Sequence, residues 1–137
     1  MNYKHFRKQL ETIGLETEDI KEALKLVSED NADFEAGNYR IIHEDSIDDI
    51  MKEELSSDTY LLGCFQSWFI AGILEISPEC VEKAQANECY KVLGEMLLKQ
   101  MDRVVDGYIS NDGYGHHFAS YDGHEYESEG YYIFRIN

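Results

Sequence analysis

The chain predicts an α+β fold, a helical body of about five helices around a buried central helix beside a small antiparallel sheet. Three observations predict it. Apolar residues recur at helical spacing along most of the stretch from Tyr3 to Tyr108. Two short runs, "YRIIH" (39–43) and "YYIFRI" (131–136), are aromatic and β-branched instead. Between Asn111 and Gly130 the helical rhythm gives way to Gly-containing turn signals and alternation.

Taken in order, Tyr3, Phe6, Leu10 and Ile13 share one helical face, and Gly14 stands where a C-cap belongs, so residues 2–13 read as a helix. Thr17 reads as the N-cap of a second helix, with Glu18 and Asp19 favouring its dipole and Ile20, Ala23, Leu24 and Val27 on its apolar side. "SEDNADFEAGN" breaks the pattern and reads as a loop; its Asp30, Asp33 and Glu35 lack the spacing of an EF-hand. Residues 39–43 form a strand. Asp45 or Ser46 then caps a short helix with Ile47, Ile50, Met51 and Leu55 inward. Thr59–Glu75 is apolar nearly all round and reads as the central buried helix, with Cys64 as a small buried hydrophobe. Ser77-Pro78 opens a further helical pattern that runs to Tyr108 and breaks near Asn87.

At the C-terminus, Asp122-Gly123 is a hairpin signal and Ser128-Glu129-Gly130 a second turn. They predict a meander of residues 118–121, 124–127 and 131–136, with strand 39–43 paired to the last strand. By length the chain reads as one domain, residues 1–137, with a helical pair over 1–35 and a core over 36–137. No signal peptide or spanning segment is visible, which predicts a soluble, cytoplasmic protein with Cys64, Cys80 and Cys89 as reduced thiols.

Charge is the strongest global signal. Twenty-eight acidic against twelve basic residues give a net charge of −16. Residues 1–13 carry +2, so residues 14–137 carry −18. That field repels nucleic acid and argues against direct nucleic-acid binding; it attracts basic protein surfaces. The densest run is Glu44–Asp58, net −6 with Lys52 included. Its candidate partner-binding residues are Asp45, Asp48, Asp49, Glu53, Glu54 and Asp58, beside Glu44. At helical spacing Asp45, Asp49 and Glu53 fall at i, i+4 and i+8, one stripe opposite Ile47, Ile50 and Met51.

The segment "NDGYGHHFASYDGHEYESEGYY" raises a different chemistry. Its His116, His117, Asp122 and His124 form a candidate binding or metal cluster, the most compact ligand set being His117, Asp122 and His124. No HxH, HExxH or HxxxH spacing supports it, and His116 and His117 would point to opposite faces of a strand. No nucleophile elbow or phosphate loop accompanies these residues, so the chain reads as a non-enzyme with no cofactor.

The motifs "ELSSDTYLLGCF" (54–65) and "YGHHFASYDG" (114–123), within residues 39–137, resemble a family of small acidic proteins encoded by bacteriophages and prophages. The resemblance implies a phage origin and no particular chemistry; residues 1–35 fall outside it and read as an addition. For a small phage protein without catalytic motifs, it implies action inside the host cell by binding a host factor. The expected function is therefore an acidic protein that inhibits or modulates a basic host target, a nucleic-acid mimic acting against restriction or CRISPR effectors. Two rival classes are a metal-binding module or metal-dependent enzyme centred on the histidines, and a virion or homodimeric scaffold protein using the aromatic stretch around Trp68 and Phe69.

Overall fold

The computed structural model describes all 137 residues. In chain order the elements are α1 (Tyr3–Ile13), α2 (Thr17–Ser28), β1 (Asp33–Ala36), β2 (Tyr39–His43), α3 (Ile47–Ser56), α4 (Thr59–Gly63), α5 (Ser67–Leu74), α6 (Pro78–Ala86), α7 (Tyr90–Leu98), α8 (Met101–Asp112), α9 (Gly115–Phe118), β3 (Tyr126–Ser128) and β4 (Tyr131–Arg135). The class is α+β, as expected, with nine helices rather than about five. Where the sequence reads as one domain, the chain divides into two compact units, Met1–Ile47 with Asp112–Asn137, and Asp48–Asn111.

In the first unit the strands form one antiparallel sheet of order β1-β2-β4-β3. The anticipated pairing of residues 39–43 with the last strand is present, Tyr39 opposite Arg135 and His43 opposite Tyr131. Alternation sends Ala36, Tyr39, Ile41, Tyr131 and Ile133 to one face, where they pack with Phe6 and Leu10 of α1, Leu15, and Ile20, Ala23 and Val27 of α2. Residues 1–35, read as an addition, supply about half of this core. Asn2 caps α1, its side chain accepting from the His5 N–H at 3.0 Å. The Tyr39 hydroxyl donates to the Ile13 carbonyl at 3.3 Å, satisfying a group left over at the helix end. Helix α2 starts at Thr17 with Glu16 as its N-cap, one residue earlier than expected, and no side chain caps it.

Strand β1 lies inside the stretch expected to be a loop. Only Phe34 and Ala36 turn inward, too few apolar residues for a clear alternating signal, and β2 supplies the pairing that makes them a strand. A two-residue turn joins them, with a positive φ of 59° at Gly37 alone, the type II′ pattern.

The expected C-terminal meander is only partly formed. Glu129 (φ 52°) and Gly130 (φ 81°) make the type I′ turn between β3 and β4. Residues 118–121 are not a strand. Asp122-Gly123 does not make a hairpin: the Gly123 N–H donates to the Ala119 carbonyl at 2.8 Å, and Asp122 Oδ1 accepts from the His124 N–H at 3.0 Å. These local bonds close a helical turn and an Asx turn, leaving no ladder for the sequence before Tyr126.

In the second unit the expected central helix is broken. Residues 64–66 separate α4 from α5, and Tyr60, Leu61 and Trp68 are 59%, 51% and 56% exposed. Two features account for the break. The Gln85 side-chain N–H groups donate to the carbonyls of Gly63 and Phe65 at 3.0 and 2.9 Å, so backbone groups freed there are satisfied. Helices α4 and α7 also cross backbone against backbone: a Cβ on Gly63 would overlap the Tyr90 carbonyl, and one on Gly94 the Thr59 carbonyl. A continuous helix from 59 to 75 would have to give up that geometry. The pattern from Ser77 divides near Asn87, as expected, and again at Lys99–Gln100. All three cysteines are free thiols, but Cys64 is exposed rather than buried, because it caps α4 at the break.

Three helices end in the same way. The N–H groups of Asn31, Ile76 and Cys89 reach back to the carbonyls of Leu26, Ala71 and Ala84, and Asp30, Glu75 and Glu88 take the left-handed position with φ near 60°. Glycine is the usual occupant, since a Cβ there costs about 1 kcal/mol. Glu88→Gly is expected to raise stability by ~0.5–1 kcal/mol in urea melts, whereas Gly94→Ala is expected to lower it by ~3 kcal/mol.

Candidate functional site

The acidic run divides on folding. Asp48 and Asp49 occupy the first turn of α3, where the helix dipole favours them, and Glu53 is exposed a turn further on. Glu54 is half-buried. Asp45 is not on the helix. It lies in the preceding turn, its N–H donating to His43 Nδ1 at 3.1 Å, so the expected three-residue stripe is reduced to Asp49 and Glu53. The Asp45 carboxylate lies 3.8 Å from the same nitrogen. Asp58 has a structural duty: it N-caps α4, accepting from the Leu61 N–H at 3.0 Å. Lys52 pairs with Asp102 at 2.9 Å; the hydrogen bond and charge of Asp102, with Asp49 beside it, push the ammonium pKa up.

The histidines are placed by α9. Glu125 Oε1 accepts from the N–H groups of Tyr114 and Gly115 at 3.0 and 3.3 Å and so holds the start of this short helix. Gly115 must be glycine, since a Cβ would strike the Gly123 carbonyl. The helix lays Phe118 on Phe134, ring centroids 5.1 Å apart, and the Arg40 guanidinium sits 5.1 Å from the Phe118 centroid. His117 packs edge-on to Phe118, His116 and His124 are exposed, and Asp122 is held by its turn. No three His, Cys, Asp or Glu side chains are grouped to hold a metal ion, so the triad His117, Asp122 and His124 is not assembled. The "YGHHFASYDG" motif is a structural knot that closes over the outer face of the sheet.

Sequence reasoning missed a cleft of about 280 Å³ at the β3–β4 hairpin, lined by His5, Glu44, Glu127, Ser128, Glu129, Gly130, Tyr131 and Tyr132. The pairing of β2 with β4 makes it, since the Glu44 N–H donates to the Gly130 carbonyl at 2.9 Å. Glu44 is thus brought to the same cleft as Glu127 and Glu129, which are distant from it in sequence. The only advance signal was "EYESEGYY", whose alternating acids share a hairpin with three tyrosines.

Compared with protein-family models, with curated proteins and with solved structures, the chain finds no match. Its function has to be read from its own chemistry.

The electrostatics of the hairpin have a measurable consequence. Burial, then a hydrogen bond to Glu127, then the charges of Glu127, Glu125 and Glu44 push the Tyr132 phenol from 10.0 up to about 12. A folded state that keeps this proton longer than the unfolded chain is stabilised below pH 10 and loses that contribution as pH rises from 10 towards 12. Urea melts are expected to show stability falling across this window, with a shallower fall in Tyr132→Phe.

Proposed function

We propose that this protein is a non-enzymatic acidic binding protein that inhibits or modulates a basic host target, one whose own task is to hold nucleic acid. The observation that carries the reading is a net charge of −16 on 137 residues, displayed on exposed carboxylates that include Asp48, Asp49 and Glu53. Such a surface complements a Lys- and Arg-lined groove and speeds encounter with it. The phosphate-ladder version of the reading draws on Asp49 and Glu53, one turn apart on α3; Asp45 and Asp58 contribute charge without helical spacing.

The experiment is a low-salt capture of host proteins, elution by salt, and competition with duplex DNA. Binding is expected to weaken at least tenfold between about 0.05 M and about 0.5 M salt, as exposed charges are screened. DNA should displace the chain, and the double change Asp49→Lys, Glu53→Lys should weaken capture. Salt-insensitive binding that survives the charge reversal overturns the reading.

A second reading, a homodimer, is favoured by one observation. Seven of the ten large exposed apolar side chains belong to the second unit, among them Tyr60, Leu61, Trp68, Val92 and Met96. The two readings differ in sign: self-association of a −16 chain strengthens as salt screens repulsion, whereas capture of a basic partner weakens. Sedimentation across the same salt range distinguishes them.

A further inference from the structure

Exposed apolar side chains and missing charge coincide in the second unit. Six of the ten large exposed apolar residues, Tyr60, Leu61, Trp68, Val92, Met96 and Leu98, lie on α4, α5 and α7. These three helices carry one lysine, Lys91, and one glutamate, Glu95, and no other charged side chain, so they are net neutral on a chain of −16. Two copies of such a chain repel wherever carboxylates dominate, and that repulsion is least here. A basic partner, drawn by negative charge, finds least attraction on the same helices.

Helix α7 shows how a second copy fits. Its inner side is fixed, because Leu93, Gly94 and Leu97 are buried and Gly94 lies against the Thr59 carbonyl of α4. At about 3.6 residues per turn, Lys91, Val92, Glu95 and Met96 fall on the outer side. All four are exposed. Lys91 and Glu95 form one i, i+4 row, Val92 and Met96 the next. Neither Lys91 nor Glu95 forms an ion pair within its own chain. Lysine four residues before glutamate is the weaker order for such a pair on one helix.

Between two antiparallel helices the same pattern complements itself. A two-fold axis perpendicular to α7, passing between Leu93 and Gly94, keeps each row on its own side and reverses its direction. Lys91 of each copy then stands beside Glu95 of the other, and Val92 beside Met96. The Tyr60 ring, 5.2 Å from that of Tyr90 at the start of α7, extends the exposed apolar surface next to this helix.

We propose that the outer face of α7 is the seam of a symmetric homodimer, held by two Lys91–Glu95 ion pairs across the two-fold axis and by Val92 and Met96 alongside them. The proposal rests on the homodimer reading above and adds to it the surface, the symmetry and the pairing.

The test is sedimentation at about 0.15 M salt, which screens repulsion beyond about 8 Å while sparing pairs in contact. The wild-type chain is expected to dimerise as its concentration rises. Lys91→Glu and Glu95→Lys each set like charges against one another twice, and each is expected to weaken dimerisation about tenfold or more. Both positions are exposed, so both variants should fold, with unchanged circular dichroism. An equimolar mixture of the two variants should form a heterodimer, since each supplies the charge that the other lacks. The chain carrying both changes should dimerise like the wild type. A wild-type chain that stays monomeric up to about 1 mM overturns the seam and the homodimer reading together, and gives the apolar face to a foreign partner. A wild-type dimer that both single changes leave intact overturns the seam alone, and the homodimer then forms through another surface. Variants that dissociate but fail to associate when mixed overturn the two-fold pairing.

Discussion

The first unit depends on one ladder, β2 against β4, which joins residues some ninety positions apart in sequence. Without it the β1–β2 and β3–β4 hairpins stand apart as isolated two-stranded pairs, and α1 and α2 lose the Tyr131 and Ile133 part of the face they cover. The closure of so long a loop is unfavourable in entropy, though only slowly more so with length. It is offset by burial of Ile41, Ile133, Tyr39 and Tyr131 against Phe6, Leu10 and Val27, each fully buried side chain contributing roughly 2 kcal/mol. The same ladder creates the hairpin cleft, because it sets Glu44, at the exit of β2, against the turn that carries Glu129 and Gly130. Packing and candidate function therefore share one cause.

Negative charge is held at some cost to the fold. Asp30, Glu75 and Glu88 sit in left-handed positions at helix C-termini, where both backbone sterics and the helix dipole disfavour them. Glycine does the same duty at Gly14 after α1. Acids that occupy strained positions, and acids in the cleft with no cation beside them, leave a surface whose field is not internally neutralised. That is the physical condition for long-range attraction to a basic partner.

The second unit is organised differently. Its helices are short, and the close crossing at Gly63 and Gly94 replaces side-chain interdigitation with backbone contact. Short helices bury less of each face, which accounts for the apolar side chains left outside, Trp68 and Val92 among them. An apolar anchor within a charged rim is the usual composition of a protein interface.

The sequence by itself determined what depends on local chemistry. Helix starts at Asn2 and Pro78, the stop at Gly14, the turn at Glu129-Gly130 and the strand character of residues 39–43 and 131–135 were all legible from side-chain type and spacing. So was the charge, which is a property of composition. Tertiary structure decided the rest. The break after Gly63 depends on Gln85 and on Gly94, neither of them near it in sequence. The fate of "HHFASYDG" depends on Phe134 and Glu125, which favour a short helix over a hairpin that the Asp-Gly pair alone would allow. The cleft could not be read in advance because its acids come from residues 44 and 127–129 and meet only once the ladder forms. A signal confined to a few neighbouring residues cannot encode an encounter between distant ones; only packing brings them together.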